Sequence, residues 1–117
     1  MDLLEEYGPE LYDALKAQKQ RGRVEKIGYS IYGPDDLDLL FHNHLPDLLQ
    51  APLNVFDRRL LTSGWLAHLN TAGVEVHVRS VFLQGLLLMS PAERPVKFNH
   101  WQRHWDTWDS WINEQGI

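Results

Sequence analysis

Cysteine is absent from this 117-residue chain, so no disulfide can staple the fold and no thiolate chemistry is open to it. An excess of positive charge is missing too: 11 Lys and Arg stand against 16 Asp and Glu, for a net charge of -5. A nucleic-acid footprint needs a basic patch, so that class of partner is set aside. Long hydrophobic runs are lacking. The longest, Leu86-Leu87-Leu88-Met89, falls far short of the roughly 20 residues of a membrane-spanning helix. The acidic opening Met1-Asp2-Leu3-Leu4-Glu5-Glu6 has neither the charge nor the apolar length of a secretory leader. The expectation is one soluble, cytoplasmic domain over residues 1–117, with no nucleic-acid and no membrane partner.

What is present is an ordinary globular composition, 44% apolar and 23% charged, organised around the stretch Gly73-Val74-Glu75-Val76-His77-Val78-Arg79-Ser80-Val81-Phe82-Leu83-Gln84-Gly85. Its β-branched residues predict a strand. Two earlier stretches repeat the rhythm. Val24 to Tyr32 reads as a strand carrying an internal Gly28, a residue that marks close backbone approach. Asp47 to Val55 reads as another, with Pro52 stopping its pairing.

Helical patterns separate them. Gly8-Pro9-Glu10 opens a helix that buries Leu11, Ala14 and Leu15 and stops at Gly22. Gly33-Pro34-Asp35-Asp36 opens a second, with Leu37, Leu40 and Phe41 as its buried face. Asn43-His44-Leu45-Pro46 breaks the pattern. A third helix follows Asp57-Arg58-Arg59 and carries Leu60, Leu61, Trp65, Leu66 and Leu69, with Gly64 as its weak point. After a loop over Ser90 to Pro95, Lys97 to Gln115 predicts a last helix. Trp101, Trp105, Trp108 and Ile112 share one of its faces, with Trp111 beside it.

Strand centres near residues 27, 50 and 76 recur about every 25 residues, one strand plus one helix per repeat. The predicted fold class is therefore α/β: three consecutive parallel βα units after a leading helix. The even spacing fits a fragment of a (β/α)8 barrel better than a doubly wound sheet. Such a piece leaves open sheet edges, so self-association is expected.

The motifs Gly22-Arg23-Val24-Glu25-Lys26-Ile27-Gly28-Tyr29-Ser30, Leu49-Gln50-Ala51-Pro52-Leu53-Asn54-Val55-Phe56-Asp57-Arg58-Arg59 and Gly73-Val74-Glu75-Val76-His77-Val78-Arg79-Ser80 resemble, in that order, strands five, six and seven of the aldo-keto reductases. These are NAD(P)H-dependent carbonyl reductases built on a (β/α)8 barrel. The resemblance runs over essentially the whole chain. It implies NADP or NAD as cofactor and a small carbonyl compound as substrate.

By the same resemblance, Ser30 and Gln50 would hold the nicotinamide carboxamide, which needs paired donors and acceptors. Ser80 would lie near the cofactor pyrophosphate, together with the loop from Leu83 to Gly85. Arg79 stands where many members carry an aromatic ring that stacks on the nicotinamide, a role a flat guanidinium can take. Ile31 departs from the family, which usually has Asn there. The family's catalytic Asp, Tyr, Lys and His would fall before Met1, and its last barrel strand after Ile117. No residue of this chain is assigned to proton transfer. The alternative is a truncated half-barrel that acts as an association or binding module.

Four further features have plainer readings. His100 and His104 are spaced like metal ligands, but no acidic third ligand stands near them, so no metal is expected. His42 and His44 read as surface-loop residues. Asp57-Arg58-Arg59 reads as a helix cap with a solvated Arg pair rather than an anion site. The Trp stripe offers faces for sugar rings, but packing of the helix is the favoured account.

Overall fold

The computed structural model describes residues 6–117; the acidic opening from Met1 to Glu5 lies outside them. The chain forms two compact units, the first running to Val81 and the second spanning Phe82–Ile117.

In the first unit the elements run α1 (Gly8–Gln20), β1 (Gly28–Ser30), α2 (Asp35–Leu40), β2 (Leu48–Pro52), α3 (Arg59–Thr62), α4 (Trp65–Thr71) and β3 (Glu75–Arg79). The three strands make one parallel sheet in the order β1-β2-β3, so the expected α/β architecture forms. Pro9 lies in the first turn of α1 with Glu10, and Lys19 lies in its last turn. These choices suit the helix dipole. Gly22, at φ 68°, closes the helix: its N–H bonds Lys19 O at 2.9 Å and the Arg23 N–H bonds Gln18 O at 3.1 Å. That pair of bonds satisfies carbonyls that the helix end would otherwise orphan.

The side chains on one face of the sheet pack under the helices. Ile31, Leu49, Ala51 and Val74 meet Leu37, Phe41, Leu60 and Leu69 in one buried cluster. Each fully buried aliphatic side chain there contributes about 1.5–3 kcal/mol. Tyr12 of α1 joins Ile27 and Leu40 in an adjoining cluster, against which Tyr29 packs. Burial pushes the Tyr29 hydroxyl well above its ordinary pKa, because the ionised form loses its hydration.

Several expectations need correction. Strand β1 covers only Gly28–Ser30, not Val24 to Tyr32. Pairing begins where Gly28 meets Leu48, and after Ile31 the Tyr32 and Gly33 amides turn away to the Asp36 carboxylate at 2.8 and 3.3 Å. Strand β2 does end at Pro52, as the missing N–H of proline predicts. On α1 Gly8 and Tyr12 are buried, and the Tyr12 hydroxyl donates to Leu45 O; Leu15 packs against the Tyr12 cluster as expected, while Leu11 is 41% exposed. The anticipated third helix is two, α3 and α4, parted by Gly64 at φ 84°; a left-handed residue ends the α-helical ladder. Strand β3 stops at Arg79 because Ser80 is left-handed at φ 59°, so Phe82 is not a strand residue.

The second unit has two short 3₁₀ turns within Leu83–Leu88, parted by a kink at Gln84 and Gly85, another 3₁₀ segment over Val96–Trp101, and α5 (Gln102–Gln115). The expected helix from Lys97 thus becomes α-helical only at Gln102. Leu86, Leu87 and Trp105 form the unit's core, with Phe98 and Trp108 against it. Two indoles anchor it: Trp105 Nε1 donates to Phe98 O at 3.1 Å and Trp108 Nε1 to Leu87 O at 3.2 Å. The stripe therefore packs only in part. Trp101 and Trp111 stay 49% and 45% exposed.

Gly28 yields the sharpest test of this fold. A Cβ built there would fall on the Leu48 carbonyl, which is backbone and cannot rotate away. This is the close approach that an internal strand glycine marks. Gly28→Ala is expected to destabilise the chain by about 1–3 kcal/mol, read from urea unfolding. An unchanged midpoint would refute the β1–β2 register.

Candidate functional site

Alternation along three parallel strands sends half of their side chains away from the helices. Ser30, Gln50, Glu75 and His77 are all exposed on that second face. Register puts them in rows. Ser30 pairs with Gln50, and Gln50 with His77, so a hydroxyl, an amide and an imidazole lie side by side over about 10 Å. The row behind it is Gly28, Leu48 and Glu75. Glu75 accepts from Lys26 Nζ and lies 2.7 Å from His77 Nε2. The Lys26 bond first, and His77 second, hold the Glu75 carboxyl below its usual value. Glu75 in turn raises Lys26.

The carboxyl ends of the strands are joined by side chains. Arg79, opposite Pro52 in register, crosses the end of β2 and donates to Ile31 O at 3.0 Å. Its guanidinium lies 5.3 Å from the Tyr32 ring centre, a cation–π distance. It also approaches the Ser80 hydroxyl at 3.5 Å. Asn54 Nδ2 donates to Ser80 O at 3.1 Å, and Asn54 Oδ1 accepts from the Phe56 and Asp57 amides.

Asp57 grips Arg59 through two bonds of 2.9 and 2.8 Å, and Arg59 donates to Tyr32 O at 3.2 Å. Arg59, though its side chain is 61% exposed, is more than the solvated half of an Arg pair: it ties the loop after β2 to the loop after β1. Arg58 alone is left exposed without such a bond. The crevice between these loops, lined by Ile31, Gly33, Ala51, Asp57 and Arg59, is too narrow for a water molecule.

Of the residues singled out in the sequence, Ser30 and Gln50 are thus neighbours, and Arg79 and Ser80 sit at the same end of the sheet. Leu83 and Gly85 belong to the second unit. Leu83, Gln84 and Gly85 all have positive φ, at 47°, 56° and 90°, a strained run for the two that carry a Cβ. His77 was missed, and Arg59 was read only as part of a solvated pair. The alternation of Glu75, His77 and Arg79 with Val74, Val76 and Val78 was the signal that finds His77. Arg59 had a local sign in Asp57, two residues before it, but its bond to Tyr32 O, across a loop, left none.

His100 and His104 are exposed. Among the described residues no group of three or more His, Asp and Glu side chains is placed to hold a metal ion. His42 is exposed, whereas His44 is half-buried against the Tyr12 ring at 4.7 Å. No helix of the described residues is long and apolar enough to cross a membrane.

Chemically, the face offers neutral donors and acceptors in a row, and its rim offers the Arg79 guanidinium, that of Arg59 being answered by Asp57. That suits a neutral amide-like group above the row and an electron-rich or anionic group at the rim.

Asp57 supplies a pH test. The Arg59 bond holds its carboxyl below the usual carboxylate range. A depressed folded pKa stabilises the fold above the unfolded value, and that stability is lost as pH falls through the lower folded value. The wild-type chain is expected to lose up to about 1 kcal/mol through this pair below about pH 4. Asp57→Asn flattens that limb in urea midpoints measured against pH. Identical profiles would show that the clasp does not form.

No protein-family model matches the chain, and no curated protein or solved structure matches it either.

Proposed function

We propose that the chain is a segment of an NAD(P)H-dependent carbonyl reductase of the aldo-keto reductase kind, three βα units of a (β/α)8 barrel. The adjacency of Ser30 and Gln50 in register, on the uncovered face, is the observation that carries the reading. Chain order and strand order coincide, so each crossover steps one strand in the same direction, an order that a barrel shares with one half of a doubly wound sheet. The buried cluster unites one sheet face with the helices, while the opposite face carries polar residues. Barrels put their helices outside and their site residues at the carboxyl ends of strands.

In this reading Ser30 and Gln50 hold the carboxamide of a nicotinamide, and the residues present fit it: a hydroxyl and an amide together supply the donors and acceptors that group requires. Arg79 lies at the strand end where a flat cation can stack on the ring, and the Ser80 hydroxyl lies beside it. The cofactor, when bound, supplies hydride to a carbonyl carbon. The proton for the resulting alkoxide comes from a tyrosine outside these residues, so the chain positions but does not catalyse alone.

A second reading is an association module. The outer edges of β1 and β3 pair with nothing in the three-stranded sheet, and unpaired edges recruit further strands.

NADPH titrated into the folded chain is expected to quench tryptophan emission saturably. Gln50→Ala, a change on the exposed face, should weaken that binding about tenfold, the loss of one to two hydrogen bonds. A chain that is folded by circular dichroism yet shows no saturable quenching would defeat the cofactor reading and leave the association module.

A further inference from the structure

The second unit holds an open cleft of about 600 Å³. Its walls include Leu87, Leu88, Met89, Trp108, Trp111 and Ile112. The volume lies within the roughly 300–1,000 Å³ of small-molecule sites, which are likewise mostly apolar with few polar groups. The Trp108 and Trp111 rings stack at 27° with centres 5.4 Å apart, and flat aromatic walls suit flat ligands.

Arg94 and Asp109 are the charged groups of this lining, and they are bonded to each other, one of those bonds being 2.7 Å. The Arg94 side chain is only 6% exposed. Each charge is thus answered by the other. An anionic ligand meets the Asp109 carboxylate, a cationic one meets the Arg94 guanidinium, and neither gains a net partner. One donor is left over: Arg94 Nε is buried and has no acceptor. A buried donor without an acceptor is costly, and an oxygen brought against it removes that cost. A sugar fits poorly, since most of its hydroxyls would face hydrocarbon.

We infer that this cleft binds a small, flat, uncharged aromatic molecule carrying one carbonyl oxygen, with its ring along the Trp108–Trp111 wall and its oxygen toward Arg94. The inference stands apart from the cofactor reading, because every lining residue lies between Phe82 and Ile117.

Three probes of nearly equal shape test it on the full, isotope-labelled chain: acetonaphthone, naphthoate and ethylnaphthalene. The readout is the indole N–H resonances of the five tryptophans. Acetonaphthone is expected to shift Trp108 and Trp111 saturably and to leave Trp65, in the first unit, in place. Naphthoate should bind at least tenfold more weakly because of Asp109. Ethylnaphthalene, lacking the oxygen, should bind roughly three- to tenfold more weakly, the worth of one hydrogen bond. Leu88→Asp sets a charge at the cleft on a side chain already 69% exposed; the fold should survive it while acetonaphthone affinity drops at least fivefold.

Equal affinity for all three probes would overturn the inference, as would shifts spread over all five indoles. So would no shift at all. Resonances of Trp108 and Trp111 that move with protein concentration alone, and do not respond to acetonaphthone, would show that a second copy fills the cleft, and would overturn it too.

Discussion

A parallel sheet is ordinarily covered on both faces, because βα crossovers lay helices over it. Here the buried cluster joins the helices to a single face, and the structure of the first unit follows from that constraint. On the covered side the strands present Ile27, Tyr29, Ile31, Leu49, Ala51 and Val74. On the other side they present Ser30, Gln50, Glu75 and His77. The polar row is therefore no accident of surface composition. It is the obligatory second phase of strands whose first phase makes the core. Gly28 brings the first two strands close enough for that register, and Arg79, Arg59, Asn54 and Asp36 then hold the loops that leave the strand ends.

The candidate site depends on this geometry more than on any single residue. A serine and a glutamine some twenty positions apart become neighbours only because each crossover returns one strand further along. Lys26 and Glu75 extend the row with charge, while the arginines at the rim each spend a donor on a backbone carbonyl after β1. The second unit has a different logic. Its core is small, two of its indoles anchor to backbone carbonyls, and Trp108 also stacks on Trp111. Part of its apolar surface remains as a cleft.

Much of the first unit was legible in the sequence, for physical reasons. Val74, Val76 and Val78 announce a strand by β-branching, Pro52 announces the end of pairing by its missing N–H, and Leu37, Leu40 and Phe41 announce a helix face by spacing. What was misread turns on phase and backbone. On α1 the apolar positions Leu11 and Leu15 straddle Tyr12, and the hydroxyl of Tyr12 finds its acceptor at Leu45, thirty-three residues on; no local pattern reveals such a partner. Gly64 and Ser80 break elements by adopting left-handed backbone, a choice glycine permits and serine only tolerates. The polar row itself was half visible. Ser30 and Gln50 stood out, but His77 emerges only once register sets it beside Gln50.

Among the described residues the parallel sheet has only three strands, and its edges have a direct consequence for the chain in solution. Strands β1 and β3 have outer edges with no partner in the sheet, and the face between them lies outside the helical core. Sedimentation velocity over a wide range of protein concentration measures what those surfaces do. The account predicts a coefficient that rises with concentration as copies associate. A coefficient that stays at the value of a compact monomer throughout would contradict it, and would mean that this sheet is complete with one face covered.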